Sequence, residues 1–227
     1  MIGNLVTGAE RVFRRLGGEG WIVLSGSLAA PGGSQRDLGD RILERLDLSL
    51  EPLLATGPQA DEAAASDFAE EVEAWLGLPV RRVELQRLRE EDWTQVGLLT
   101  MTGGPVAAWL DGLGEIQNRA TPLADLGEGS LLYAAGEAAQ AMGSWALLPP
   151  SCQLVPGLGW LPGAIVLPGE ADPMECAEVR DGLEGPGKKY ALGLPPGAIL
   201  AIGPEGEAEV WGDVRPTLAL GRGWNQG

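Results

Sequence analysis

Residues 96–113 read VGLLTMTGGPVAAWLDGL, and the fold follows from this stretch. Val96 to Met101 is an apolar run of strand length, closed by Thr102-Gly103-Gly104. Pro105 suits the first turn of a helix, where its missing N–H leaves nothing unsatisfied. Val106, Trp109, Leu110 and Leu113 then recur at the spacing of one helical face. A strand with little polar alternation, delivered directly into a helix, is the repeating unit of a parallel sheet covered on both faces.

The same alternation extends in both directions. Upstream, Thr7-Gly8-Ala9-Glu10 has the form of a capping box and predicts a helix over 7–17. Trp21 to Leu24 reads as a strand closed by Ser25-Gly26. Ser34 caps a helix whose apolar face carries Leu38, Ile42, Leu43 and Leu46. Its other face carries Asp40, Arg41, Glu44 and Arg45 at i,i+4 spacing. Glu51 to Thr56 is a second strand. Asp61 opens a helix with Phe68, Val72, Trp75 and Leu76 stacked on one side. Val80 to Leu85 is a third strand. Downstream, Ser130 to Ala134 runs into Ala135-Gly136-Glu137 and a helix through Met142. Gly163 to Leu167 is a further strand after the turn-rich Pro156-Gly157-Leu158-Gly159. Ile199 to Ile202, Gly203-Pro204-Glu205-Gly206 and Ala208 to Trp211 read as a β-hairpin. The expectation is one three-layer α/β/α domain over 1–227. Its core spans 20–170, with a mostly parallel sheet, and an antiparallel hairpin extension spans 190–220.

Composition narrows the chemistry. The chain has 227 residues, 16 Lys and Arg against 32 Asp and Glu, a net charge of −16, and no histidine. Within these residues there is therefore no Ser-His or Cys-His triad, no His-ligated metal and no His acid/base group. The negative charge argues against a nucleic-acid or anionic membrane partner. Cys152 and Cys176 are too few for a disulfide framework or a four-cysteine zinc site, and read as reduced structural residues. Neither a metal nor an organic cofactor is expected. Met1 to Arg15 lacks the order of a secretion signal, and no run of about 18 apolar residues appears. The reading is cytoplasmic. The 35 Gly and 17 Pro sit between apolar runs, as tight turns do.

Ligands of open α/β sheets bind at the carboxyl ends of the strands. Glycine-bearing bends are expected there at Thr102-Gly103-Gly104, Ala134-Ala135-Gly136 and Leu167-Pro168-Gly169-Glu170. Such glycines are packing devices or allow backbone N–H groups to face an oxyanion. In order and spacing these elements resemble the peptidase S51 family of cyanophycinases and aspartyl dipeptidases. That family has a class I glutamine amidotransferase-like, flavodoxin-like fold. Its T-G-G element resembles Thr102-Gly103-Gly104. Its nucleophile elbow G-T-S-A-G-A resembles Leu132-Tyr133-Ala134-Ala135-Gly136-Glu137. Its G-L-G-L-L-P resembles Gly157-Leu158-Gly159-Trp160-Leu161-Pro162, and its late G-I-D-E-x-T-A resembles Gly193 to Ala198.

The departures fall on the reactive groups. The resemblance places the nucleophilic serine at Ala134, the histidine at Gly169, the aspartate before it at Leu167, and the late acidic pair at Pro195-Pro196. It thus implies a homodimeric pseudoenzyme with no catalytic residue. Such a chain would keep a cleft for a small ligand or short peptide, lined by Gly103, Gly104, Ala135, Gly136, Glu137 and Glu170. Two alternatives stand beside it. One is an active serine-type peptidase or amidohydrolase with a relocated nucleophile. The other is a structural, partner-binding protein whose cleft is filled. Glu137 reads as a helix cap, a ligand contact or a plug of the oxyanion site. Glu170 reads as a surface carboxylate or a cleft residue. Ser25 and Ser27 read as turn residues, unactivated without a base. Lys188 or Lys189 could activate a serine only if brought beside it. Trp21, Trp75 and Trp109 read as core, while Trp145 and Trp160 read as core or as walls of a pocket.

Overall fold

A computed structural model of the chain describes residues 13, 17–27, 35–117, 126–222 and 224. The helix expected over 7–17 and the cap at Ser34 lie outside the described residues, apart from Phe13 and Gly17, neither of which is helical. In chain order the elements are β1 Trp21–Ser25, α1 Gln35–Leu43, β2 Glu51–Thr56, α2 Glu62–Leu76, β3 Arg81–Glu84, β4 Val96–Thr102, α3 Val106–Gln117, β5 Leu131–Ala135 and α4 Glu137–Ala141. There follow β6 Gly143–Leu148, β7 Gln153–Pro156, β8 Leu161–Pro168, α5 Ala177–Glu184, β9 Tyr190–Leu194, β10 Ile199–Ile202, β11 Ala208–Val210 and β12 Thr217–Leu220. A 3-10 turn at Leu85–Glu90 connects β3 towards β4.

These strands form two sheets. The larger has seven strands in the order β11-β10-β1-β5-β4-β2-β3. From β1 to β3 all neighbours are parallel; β10 pairs antiparallel with β1, and β11 with β10. The mostly parallel α/β sheet and the hairpin at Ile199–Val210 are as expected. The extension expected over 190–220 is not one unit, however. β9 and β12, at its two ends, belong to a second sheet of five strands, β12-β9-β8-β6-β7.

β4 lies inside the larger sheet, and all seven of its residues are buried. One face, with Leu99 and Met101, packs against Val106, Trp109 and Leu113 of α3. The other, with Leu98, packs against Leu38 and Ile42 of α1 and Phe68, Val72 and Leu76 of α2. Each such side chain contributes about 1.5–3 kcal/mol on full burial. The second sheet shares the α3 core through Ala164, Val166 and Leu192, and its opposite face is covered by Val179 and Leu183 of α5. α2 begins at Asp61, whose carboxylate accepts from the N–H groups of Ala63 and Ala64, and ends at Gly77 with φ +65°. The exposed edge strand β3 is held by charge: Arg81 bridges Glu51 at 2.6 Å and Glu91 at 2.5 Å. Short, charged edge strands resist pairing with other chains.

The i,i+4 face expected on α1 is only partly a solvent face. Arg45 leaves it to reach Glu209 at 2.8 Å, with its guanidinium 4.6 Å from the Trp21 ring and 4.9 Å from that of Trp211. Cys152 and Cys176 are both free thiols.

Candidate functional site

The strand ends of the larger sheet meet those of the second along a line of backbone contacts. At the end of β4, Gly103 and Gly104 have φ of +68° and +72°. A Cβ on Gly103 would lie 2.5 Å from that of Ala60, and one on Gly104 would lie 2.7 Å from the Pro58 carbonyl oxygen. These glycines therefore let the loop after β2 close over the bend. The indole N–H of Trp109 donates to the Gly103 carbonyl at 2.6 Å and fixes the bend to α3.

The sharp turn after β5 is at Gly136, not at Ala134. Gly136 has φ 59° and ψ −132°, and its N–H donates to the Ser25 carbonyl at 3.0 Å. Ala134 lies two residues earlier, fully buried inside β5 and flanked by β1 and β4. A side chain there faces the core. A Cβ on Gly136 would meet nothing within 4 Å. That strained, outward-facing strand-to-helix position is where an elbow nucleophile sits. Ala135 is buried beside Ser25 and lines no open surface.

Further along, Gly26 packs against the Leu194 and Pro195 carbonyls, and the Gly169 N–H donates to the Leu194 carbonyl at 2.7 Å. The ends of β4, β5, β1, β9 and β8 thus stand in a row. The expected bends at 102–104, 134–136 and 167–170 all lie on this row. Gly169 is exposed, with φ +83° and open space where a side chain would point.

Few charged groups stand here. Glu137 is exposed, and its carboxylate accepts from the Val106 N–H at 2.5 Å. It therefore caps α3, a contact across 31 residues that local sequence spacing does not reveal. Removing the cap through Glu137→Ala should cost about 1 kcal/mol, and thermal unfolding monitored by circular dichroism checks this. Glu170 is an exposed carboxylate. The N–H groups of Gly103, Gly104 and Glu137 have no partner among the described residues.

Ser25, expected in a turn, is instead the last residue of β1 and is buried. Its hydroxyl donates to the Ser27 carbonyl at 2.8 Å. Burial pushes the Tyr133 hydroxyl up to about 12, with a hydrogen bond to Ser25 pulling the other way. A phenol raised in this way is no base for Ser25 near neutral pH. Lys188 places its ammonium 3.9 Å from the centre of the Trp145 ring. Trp160 is core, 2% exposed. No group of three or more Cys, Asp or Glu side chains among the described residues is arranged to hold a metal.

Two clefts lie on the β3 side of this row. One, of about 540 Å³, follows the edge strand and is lined by Arg81, Arg82, Glu62 and Glu91 among others. The other, of about 350 Å³, is bounded by Pro58, Leu85, Gln86, Arg89, Ala108, Asp111 and Gly112. Its Pro58 wall is the residue that packs on Gly104. The second of these lies towards α3 from the bends at Gly136 and Gly169.

No family model matches the chain, and no curated protein matches its sequence. Solved structures do match. The crystal structure of a peptidase from an acI-B1 Actinobacterium superposes with a TM-score of 0.58 at 12% identity, covering 89% of this chain and 95% of that one. A protein described as a peptidase E from Listeria monocytogenes EGD-e superposes with a TM-score of 0.53 at 14% identity, covering 84% of this chain and 97% of that one. The chain therefore shares the α/β fold of these peptidases over nearly their whole length.

Proposed function

We propose that this chain is a non-hydrolytic relative of serine peptidases that uses its strand-end scaffold to bind a small molecule or short peptide. The observation that carries the reading is Gly136. The elbow backbone is present, with φ 59° and ψ −132°, but the residue at its apex has no side chain. The absence of histidine from the sequence removes the usual partner of an elbow serine. The folds of the two peptidases support the ancestry. A homodimer, implied by the family resemblance, belongs to the same reading and is measured by sedimentation equilibrium.

The test is covalent labelling. The native chain treated with a fluorophosphonate should keep its unmodified mass; a single modified serine would establish a relocated nucleophile and end this reading. Gly136→Ser should also remain unlabelled, because its hydroxyl would have no base. That variant should be less stable by about 1–3 kcal/mol, the cost of a side chain on strained backbone. Urea unfolding measures the loss.

A further inference from the structure

We propose that the free edge of the second sheet, strand β12 at Thr217–Leu220, is where two copies of this chain join, β12 running antiparallel to β12 across a two-fold axis at Ala219. The inference rests on the homodimer in the reading above and gives it a surface.

β12 leaves half of its backbone unused. The Gly221 N–H donates to the Lys189 carbonyl at 2.8 Å, and the register from Leu220↔Tyr190 to Thr217↔Gly193 continues that pairing. Bonded residues alternate in an antiparallel ladder, so Thr217 and Ala219 turn inwards to β9 while Leu218 and Leu220 turn N–H and C=O outwards. No strand among the described residues lies on that outer side. The two leucine side chains are 42% and 53% exposed, on the same face as Leu192 and Tyr190 of the core. The apolar face of the sheet therefore runs past its last strand into solvent. The other three edges are blunted in ways that oppose self-pairing. β3 carries Arg81, Arg82 and Glu84, and β7 ends at Pro156, which has no N–H to give. β11 lies among Glu205, Glu207, Glu209 and Asp213, which would meet the same acids of a second copy. In a chain of net charge −16, residues 214–224 hold two Arg and no Asp or Glu, so two copies can approach here without acidic repulsion along the strand.

A two-fold axis through Ala219 sets each Leu218 opposite the partner's Leu220. Each such pair exchanges both backbone bonds, four in all, and the four leucines gather on one face. The ends match in charge. Arg222, its side chain 78% exposed and 3.8 Å from Glu184, arrives at the start of the partner's β12. At that start the Thr217 hydroxyl donates to the Ala171 carbonyl, between the exposed Glu170 and Asp172. Arg215, at the same end, faces the partner's Glu184 in turn. An interface of this isologous kind uses one patch twice and needs no second surface.

The experiment is sedimentation equilibrium of the full chain over a range of concentrations, repeated on Leu218→Lys and Leu220→Lys. The native chain should approach twice its 23.7 kDa mass as concentration rises. Each lysine should weaken association about tenfold or more, because it sets an ammonium among the gathered leucines. Both positions are exposed, so folding is preserved, and circular dichroism verifies it. Ala219→Cys, made together with Cys152→Ser and Cys176→Ser, tests the register. Residues opposite one another in a non-bonded antiparallel pair stand about 4.5 Å apart, within disulfide reach. Mild oxidation should therefore link this variant into dimers on a non-reducing gel. A dimer that survives both lysines, or one that gives no link at 219, overturns this interface and leaves the homodimer itself standing. A native chain that is monomeric at every concentration overturns both. Neither result bears on the non-hydrolytic reading, which fluorophosphonate labelling tests.

Discussion

Trp109→Ala should destabilise the protein by about 3–5 kcal/mol, the usual cost of emptying a buried aromatic site. Trp109 is fully buried on α3, in the core shared by Leu99, Met101 and Leu132. Its role extends beyond volume. The indole N–H donates at 2.6 Å to the Gly103 carbonyl, and a Cβ on Gly57 would lie only 3.1 Å from the same nitrogen. One ring therefore pins both loops that meet over the end of β4. Trp109→Phe separates the two contributions. It keeps much of the apolar ring but leaves the Gly103 carbonyl without its donor, which costs about 1–3 kcal/mol if water does not replace it. Urea denaturation of both variants should lower the midpoint without changing the slope, with alanine the more severe. The same α3 carries Ala108, Asp111 and Gly112 of the smaller cleft. A phenylalanine variant as stable as the native chain would mean the Gly103 bend does not depend on this hydrogen bond.

What could be read in advance follows from how local each feature is. β2 at Glu51–Thr56 coincides with its expected bounds because apolar residues sit between clear turn signals. α2 is legible from both ends: Asp61 is an N-cap and Gly77 supplies the left-handed stop. The second sheet is different. β7 is Gln153–Pro156 and β12 is Thr217–Leu220, each four residues with little apolar alternation. They are strands because partners elsewhere in the chain complete their ladders; Leu218 pairs with Leu192, and Leu154 with Leu147. Such pairing is a tertiary property that propensity does not carry.

The elbow shows a finer limit. The resemblance puts the family's nucleophile position at Ala134, inside β5. The sharp backbone bend of that strand-to-helix junction is at Gly136. In Ala134-Ala135-Gly136 only the glycine takes φ near +60° without cost, and that is the signal that would have found it. Glu137 was legible as a cap but not as a cap of another helix. Its partner, Val106, belongs to the preceding β4–α3 unit.

Arg45→Ala should cost about 2 kcal/mol and should also flatten part of the acid dependence of stability. Arg45 lies beyond the end of α1, its side chain 18% exposed, and joins that helix to the C-terminal hairpin. The guanidinium donates to both carboxylate oxygens of Glu209, at 3.1 Å and 2.8 Å, and lies over the rings of Trp21 and Trp211. Both bonds come from one nitrogen, Nη2, and as hydrogen bonds between ionised groups they are stronger than neutral ones. Each cation–π contact adds about 0.5–1 kcal/mol at a partly exposed site. The Glu209 side chain is 36% exposed, so solvent screening keeps the ion pair at the modest end of its range.

Burial by itself would raise the Glu209 carboxyl. The Trp211 indole N–H, Arg45 and Arg41 together outweigh it and hold the group below its ordinary value of 4.5. Because the folded value is depressed, this stabilisation is present above the unfolded value and fades as pH falls through the folded one. Native protein should therefore lose stability on acidification below about pH 5, with the Glu209 share of that loss reduced when the Arg45 pair is broken, since the Trp211 N–H and Arg41 still hold the carboxylate. In Arg45→Ala the unfolding midpoint should fall at neutral pH and then decline less steeply between pH 5 and pH 3. Arg45→Met separates the contributions further, since it retains a long stem against Trp21 and Trp211 but no charge. It should recover some of the neutral-pH stability and none of the acid slope. Parallel slopes for all three proteins would mean that the hairpin is held by the stacked tryptophans alone, with Glu209 an electrostatic bystander.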